Sequence, residues 1–223
     1  SHQVTLTKAF WVSKYEVTQK QYESVMGSNP TINKGDNKPV ANMTIYEHVA
    51  YCNRLSELEG LTKAYTVSGS TITWDRGSNG YRLPTSAEWE YCARAGTSDN
   101  TYVGICDARD PNALMDGIAW YRSNSMGVSG ELESHDVGMK TPNPWGLYDV
   151  LGNVSEYCFD SPLPYSTSAE IDPWGGCTPT QVDARGGNYS NTSSDCLVSV
   201  RFEVDATKLS GASAAGMRLV RNR

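Results

Sequence analysis

Three times in its N-terminal half the chain places a threonine three residues ahead of a glutamine or glutamate, at Thr18/Gln21, Thr44/Glu47 and Thr85/Glu88. In such a capping box the threonine oxygen accepts from a first-turn amide while the longer side chain reaches back to the threonine N–H. Each following run ends on a glycine, Gly27, Gly60 or Gly96, the residue that most readily closes a helix in the left-handed conformation. Three helices are thereby fixed at both ends. On the second, Ile45, Val49, Cys52 and Leu55 form one stripe, and on the third Trp89, Cys92 and Ala93 do, so both are predicted to cover a sheet. Trp89 and Tyr91 are the aromatic anchors expected to hold the third helix against it.

The sheet has to come from short runs. Alternating or β-branched stretches bounded by turn residues predict strands over Val4 to Val12, Tyr65 to Val67, Thr71 to Trp74, Asp183 to Tyr189, Cys196 to Val204 and Met217 to Val220. Between Gly96 and Asp183 the chain is rich in Gly, Pro, Asn and Trp with little periodicity, and loops of that length are normally functional or stiffened by a cofactor. The fold class is therefore α+β with extensive irregular structure.

Charge narrows the partners. A net charge of -6 without a basic stripe leaves nothing to neutralise phosphates, which excludes nucleic acid and anionic membrane surfaces as expected partners. No apolar run approaches the roughly 20 residues of a spanning helix. The opening SHQVTLTKAF does not read as a signal peptide, so any export signal or membrane anchor is expected upstream. Thirteen tyrosines and six tryptophans against three phenylalanines suit an exposed recognition surface. The six cysteines, Cys52, Cys92, Cys106, Cys158, Cys177 and Cys196, permit disulfides but show no zinc-ligand spacing.

The segments FWVSKYEVTQKQYESVMGSNP, KPVANMTIYEHVAYCNRLSELEG, GYRLPTSAEWEYCARAG, NPWGLYDVLGNVSEYCFD, ARGGNY and GMRLVR fall in an order and spacing that resemble the formylglycine-generating enzyme (sulfatase-modifying factor) superfamily. The resemblance runs over nearly the whole chain. It implies one C-type-lectin-like domain over residues 1–223, a small antiparallel sheet with two main helices wrapped in long loops.

It also implies chemistry that the residues can be tested against. In calcium-binding members the segment matching LGNVSE supplies ligands, which would make Asn153, Glu156 and the carbonyls of Leu151 and Val154 a structural calcium site; carboxylate and amide oxygens suit that ion. Read without the resemblance, Asn153 and Glu156 serve equally well as braces of a turn, since oxygen ligands alone are a weak metal signature. The acidic stretch Asp107 to Gly117 fails the EF-hand spacing. The family's enzymes bind copper with two cysteines five residues apart, just after the Gly-Gly motif. Counted from Gly186-Gly187 those positions are Asn191 and Cys196, counted back from Arg201 Cys196 falls off the second, and either way one thiol cannot make the bis-thiolate that Cu(I) chemistry needs. The expectation is a protein that is not an enzyme and requires no cofactor; the alternative is an oxidase of the formylglycine-generating type, or another enzyme using Cys196. No hydrolase, metalloprotease or nucleotide-binding motif is present. His48 is expected at the surface of a charged helix and His135 in a loop.

What remains is RGGNYSNTSSDCLVSVR, residues 185–201. Alternation places Cys196, Val198, Val200, Phe202 and Val204 on one strand face and Leu197, Ser199, Arg201 and Glu203 on the other. Ahead of them, Ser190 to Asp195 are too small and polar to build a core, so they should face solvent or a ligand. A fixed frame with polar decoration resembles the C-terminal variable regions of proteins diversified by retroelements, here residues 183–223. By that resemblance Tyr189, Ser190, Asn191, Thr192, Ser193, Ser194, Asp195, Leu197, Ser199 and Glu203 would bind protein or other macromolecular ligands on another cell or host surface. The protein would then be extracellular, displayed on a bacterial outer membrane as a lipoprotein.

Overall fold

The computed structural model describes residues 2–106, 111–164, 166–208 and 215–223; the start of the acidic stretch at 107–110 and positions 209–214 of the candidate variable region lie outside the described residues. All three capping boxes form and open helices α1 (Gln19–Met26), α2 (Ile45–Leu58) and α3 (Ser86–Arg94). At the first, Gln21 N donates to Thr18 Oγ1 at 3.2 Å while Thr18 N donates to Gln21 Oε1 at 2.9 Å. Gly27 closes α1 at φ 75°, whereas α3 is closed one residue early by Ala95 at φ 47°. A fourth helix, α4 (Pro111–Ile118), lies in the stretch that the sequence offers as irregular.

Among the described residues eleven short strands build four small sheets. Strands β6 (Ser155–Cys158), β8 (Val182–Arg185), β9 (Arg201–Val204) and β10 (Ala215–Gly216) form one in the order β10-β6-β8-β9. Strands β2 (Phe10–Val12), β5 (Tyr81–Arg82) and β11 (Val220–Asn222) form a second in the order β2-β11-β5. A hairpin joins β3 (Tyr65–Ser68) to β4 (Thr71–Trp74), and β1 (Val4–Thr5) lies parallel to β7 (Glu170–Ile171). The larger sheets are antiparallel except where β10 runs parallel to β6.

Several expectations are corrected here. The strand predicted over Val4 to Val12 breaks in two because the chain changes partner, from Glu170–Ile171 to Val220–Asn222. The one predicted over Asp183 to Tyr189 stops at Arg185, because Gly186 (φ 84°) and Gly187 (φ 69°) leave the extended region. Cys196 to Val204 is a strand only from Arg201 onward; Ser193–Asp195 form a 3-10 turn, and Cys196 and Val198 reach the core from irregular backbone. The strand at Met217 to Val220 is displaced into β10 and β11.

Two side chains also reverse their expected placement. His48 is fully buried, its ring nitrogens 2.8 Å from the Thr44 carbonyl and 3.1 Å from that of Gly216. It lies three residues after Ile45, so it shares the buried stripe of α2 rather than its charged face. Tyr91 does not anchor α3 to a sheet: it is 54% exposed and packs edge-to-face on Trp145.

The core has two main parts. One gathers α1 and α2 against β3, β4, β6 and β8 around Ile45, Val49, Tyr157 and Phe159; the other gathers α3 and α4 around Trp89, Met115, Leu151, Cys196 and Val198. The polar stretch of interest therefore hangs from the second core by the two apolar residues at its C-terminal end.

Candidate functional site

The loop after β8 is set by its glycines. At Gly186 an added Cβ would lie 2.9 Å from the Val150 carbonyl and 3.2 Å from the Trp89 ring, and at Gly187 it would lie 2.7 Å from Cys196 Sγ. Both have positive φ, so glycine is required twice over, by conformation and by close approach. The turn throws residues 188–195 out over the loops that carry Trp120, Asn153 and Asn100.

Backbone and side-chain hydrogen bonds then fix that excursion. Tyr189 N donates to the Asn153 carbonyl at 2.9 Å, Arg122 N to the Asn191 carbonyl at 2.9 Å, and Val198 N to the Asn100 carbonyl at 3.1 Å. Within the loop, Asn188 N donates to Asn191 Oδ1 at 2.9 Å, and Ser190 donates from N and Oγ to Asn188 Oδ1 at 2.9 and 2.8 Å. Thr192 donates from N and Oγ1 to Asp195 Oδ2 at 3.0 and 2.6 Å. These are the local turns that Asn, Asp, Ser and Thr make with their own backbone. The same short polar residues that cannot fill a core are what hold this loop in one shape.

The ten residues singled out from the sequence consequently divide. Asn191 and Asp195 have side-chain oxygens engaged in bracing, and Ser193 is buried. That corrects the expectation that the whole polar run is exposed. Thr192, Ser194, Ser199 and Glu203 are exposed, while Tyr189, Ser190 and Leu197 are half-buried; Tyr189 packs against Ala41 and Val154. The frame and the display are carried by neighbouring residues of one short segment.

Beneath the loop lies a buried ionic lattice that sequence reasoning missed. Arg185 pairs with Glu90 and its guanidinium sits 5.1 Å from the Trp89 ring centre. Trp89 Nε1 donates to Glu156 Oε2 at 2.7 Å, and Arg218 reaches both Glu156 oxygens at 2.7 to 3.0 Å. Glu16 accepts from Asn153 Nδ2 at 2.7 Å and from Val154 N at 3.1 Å. Burial pushes the Glu16 carboxyl well above the usual carboxylate range, with Asp149 and Glu156 adding to the rise and Arg218 opposing it. Of its members the sequence singles out Asn153 and Glu156, while Arg218 stands in the GMRLVR segment without a local sign of its partner.

Those contacts bear on whether Asn153 and Glu156 could hold calcium. Glu156 is saturated by a guanidinium and an indole, both donors, and Asn153 uses its oxygen to accept from His135 N at 3.0 Å. A cation at Glu156 would face Arg218 at contact distance, so the residues do not fit a calcium ion and the bracing role of Asn153 and Glu156 is the one their geometry supports. The carbonyls of Leu151 and Val154 add no carboxylate to such a site.

At the two positions counted from Gly186-Gly187 stand Asn191 and Cys196. Cys196 is fully buried and burial pushes its thiol up to about 12, with Asp195 adding to the rise. A thiol so poised supplies little thiolate, the form that binds metal or attacks a substrate. Cys52, Cys92, Cys158 and Cys177 are likewise free thiols raised by burial. His135 lies in a loop as expected, stacked on Trp120 at 3.8 Å between ring centres.

Comparison with known proteins gives the following matches. Residues 1–223 match the sulfatase-modifying factor enzyme 1-like domain. The chaperone protein LppX of Paenibacillus barcinonensis is 33% identical over 251 residues, covering 99% of this chain and 82% of that protein. The formylglycine-generating enzyme of Streptomyces coelicolor is 36% identical over 122 residues, which are 52% of this chain and 38% of the enzyme. Among solved structures, Treponema denticola variable protein 1 superposes with a TM-score of 0.86 at 30% identity, covering 100% of this chain and 87% of that one.

Proposed function

The chain belongs to the sulfatase-modifying factor enzyme 1-like family, and from that premise we propose that it is a non-catalytic scaffold of the formylglycine-generating-enzyme type that binds macromolecular ligands through the loop following Gly186-Gly187. The carrying observation is the division within that loop. Its backbone is over-determined by Asn188, Asn191 and Asp195, the last through the Thr192 N–H and hydroxyl, while Thr192 and Ser194 stand exposed on it and Ser199 and Glu203 on the chain that follows, Glu203 on β9. A rigid backbone with exchangeable side chains lowers the ordering cost of binding, as a matured paratope does. Tyr189, Ser190 and Leu197 border the displayed residues.

Two likenesses support the reading. The overall superposition with a protein described as variable favours a loop whose displayed codons are rewritten by a retroelement, and the relative described as a chaperone favours a polypeptide ligand. The proposed setting is extracellular, on a bacterial cell surface, with a lipid anchor upstream. No helix among the described residues is long and apolar enough to cross a membrane. Oxidase chemistry is disfavoured by Asn191 at one copper-ligand position and by the buried, unionised Cys196 at the other.

Sequencing the encoding locus across many cells of one population tests the proposal. Substitutions concentrated at codons 192, 194, 199 and 203, with Gly186, Gly187, Cys196 and Met217 to Val220 constant, are expected. A uniform locus together with conversion of a sulfatase-type cysteine peptide to formylglycine, read by mass spectrometry, would overturn it.

A further inference from the structure

The solvent face of the sheet β2-β11-β5 carries a row of three side chains on neighbouring strands. Arg221 on β11 is paired with Trp11 on β2 and with Tyr81 on β5, and residues directly opposed across strands share a face. Trp11 is 59% exposed. The Arg221 guanidinium lies 5.9 Å from the Tyr81 ring centre. Arg223, two residues on and so on the same face, has its guanidinium 5.7 Å from the Trp11 ring centre. Among the described residues neither arginine has a carboxylate within 4 Å. Glu59 borders the row only at its Tyr81 end, where it accepts from the tyrosine hydroxyl at 2.8 Å.

The Trp11 end of the row is also the edge of the sheet. Ser13 N donates to the Leu219 carbonyl at 2.8 Å and Arg223 N to the Ala9 carbonyl at 3.1 Å. Bonded and non-bonded pairs alternate along an antiparallel ladder, so Ala9, Trp11 and Ser13 turn their backbone groups toward β11, while Phe10, Val12 and Lys14 turn theirs away from it. On that outer side the Lys14 carbonyl is already taken, by Tyr148 N at 3.0 Å. Among the described residues no hydrogen bond reaches the outward N–H and carbonyl groups of Phe10 and Val12.

Those open groups recur about 6.8 Å apart, the two-residue repeat of a strand. An extended polypeptide offers acceptors and donors at that repeat, which neither a sugar chain nor a lipid surface does. Every second side chain of such a strand comes alongside Trp11 and Arg223. A guanidinium without an ion pair is matched there by a carboxylate, which takes two of its N–H groups at once. Tryptophan, tyrosine and arginine are, besides, the residue types in which contact energy concentrates at protein interfaces. We propose that β2 takes an extended acidic segment of a protein partner as an added strand, its backbone paired with Phe10 and Val12 and its carboxylates turned to Arg223 and Arg221. None of the displayed residues Thr192, Ser194, Ser199 and Glu203 lies on this sheet, so the surface is additional to the displayed loop.

The probe is a blocked hexapeptide alternating glutamate with threonine, titrated into the whole isotope-labelled chain and followed by amide NMR shifts. Saturable shifts at Phe10–Val12 and at residues 220–223 are expected, weakening as salt is raised. The same peptide with glutamine for glutamate, or with its backbone amides N-methylated, should bind about tenfold more weakly. Arg223→Gln, at an exposed position, should weaken the acidic peptide about twofold to fivefold while leaving the glutamine peptide and the urea midpoint unchanged. Absence of saturable shifts, equal binding of the N-methylated or the glutamine peptide, or indifference to Arg223→Gln would overturn the proposal. So would saturation of the same residues by heparin and not by the peptide. Each of these failures leaves the displayed-loop reading standing, because the locus that tests it is read at other codons.

Discussion

Replacing Gly187 with alanine asks whether the turn after β8 is dictated by backbone geometry or by the polar residues beyond it. Gly187 has φ 69°, and an L-residue in the left-handed region costs roughly 1–2 kcal/mol. The new methyl would also lie 2.7 Å from Cys196 Sγ, 3.0 Å from the Asp195 carbonyl and 3.1 Å from Cys196 Cα. None of these is the far end of a flexible side chain, so the loop must shift against its own braces, an overpacking strain of about 1–3 kcal/mol. Together the two give a loss of about 2–5 kcal/mol, measured by urea denaturation under reducing conditions with tryptophan fluorescence as the readout. Cys196→Ala removes the sulfur contact but neither the φ strain nor the Asp195 contact. The double variant should therefore be less destabilised than the sum of the singles by about 1 kcal/mol. A Gly187→Ala protein within about 0.5 kcal/mol of the parent would refute the steric account of the turn.

Other perturbations follow from the same contacts. Trp89→Ala removes a core ring and the indole donor to Glu156 and should cost about 3–5 kcal/mol; an unchanged melting temperature would contradict its place in the core. Ser193→Tyr, at a buried site, should destabilise by about 1–3 kcal/mol, whereas Ser194→Tyr, one residue on and exposed, should stay within about 0.5 kcal/mol. Equal effects would erase the distinction between brace and display. Burial lifts the Asp160 carboxyl from 3.8 to about 6, so the folded state holds that proton more tightly than the unfolded one. Its stabilisation is full below about pH 4 and is lost as pH climbs through 6, a decline on the order of 3 kcal/mol. Asp160→Asn should flatten that part of the profile, and a variant with the parent's slope would sink the assignment.

Local chemistry was legible where one residue decides the outcome. The three capping boxes placed α1, α2 and α3 to within a residue or two, because Thr18, Thr44 and Thr85 act within a single turn. The irregular half was not legible, since its strands exist only through partners far along the chain: β6 is buried along its whole length against β8 and β10, a pairing no local period announces. Alternation correctly sent Cys196 and Val198 inward but implied a strand that the Ser193–Asp195 turn does not allow. His48 is polar, yet its spacing from Ile45, not its polarity, decides that it is buried. For the candidate site, the polar run was visible from composition, yet which side chains brace and which are displayed depends on turns closed by Asn188, Asn191 and Asp195, and these are set by backbone geometry that composition does not encode.

The central claim is that one short segment holds both a fixed frame and freely exchangeable side chains. The most direct measurement is a saturation substitution scan of residues 186–203, scoring each variant for protease-resistant folded protein. The account predicts that positions 192, 194, 199 and 203 accept nearly every residue type, while 186, 187, 188, 191, 193, 195, 196 and 198 accept few. Uniform tolerance across the segment, or intolerance at the four displayed positions, would contradict it.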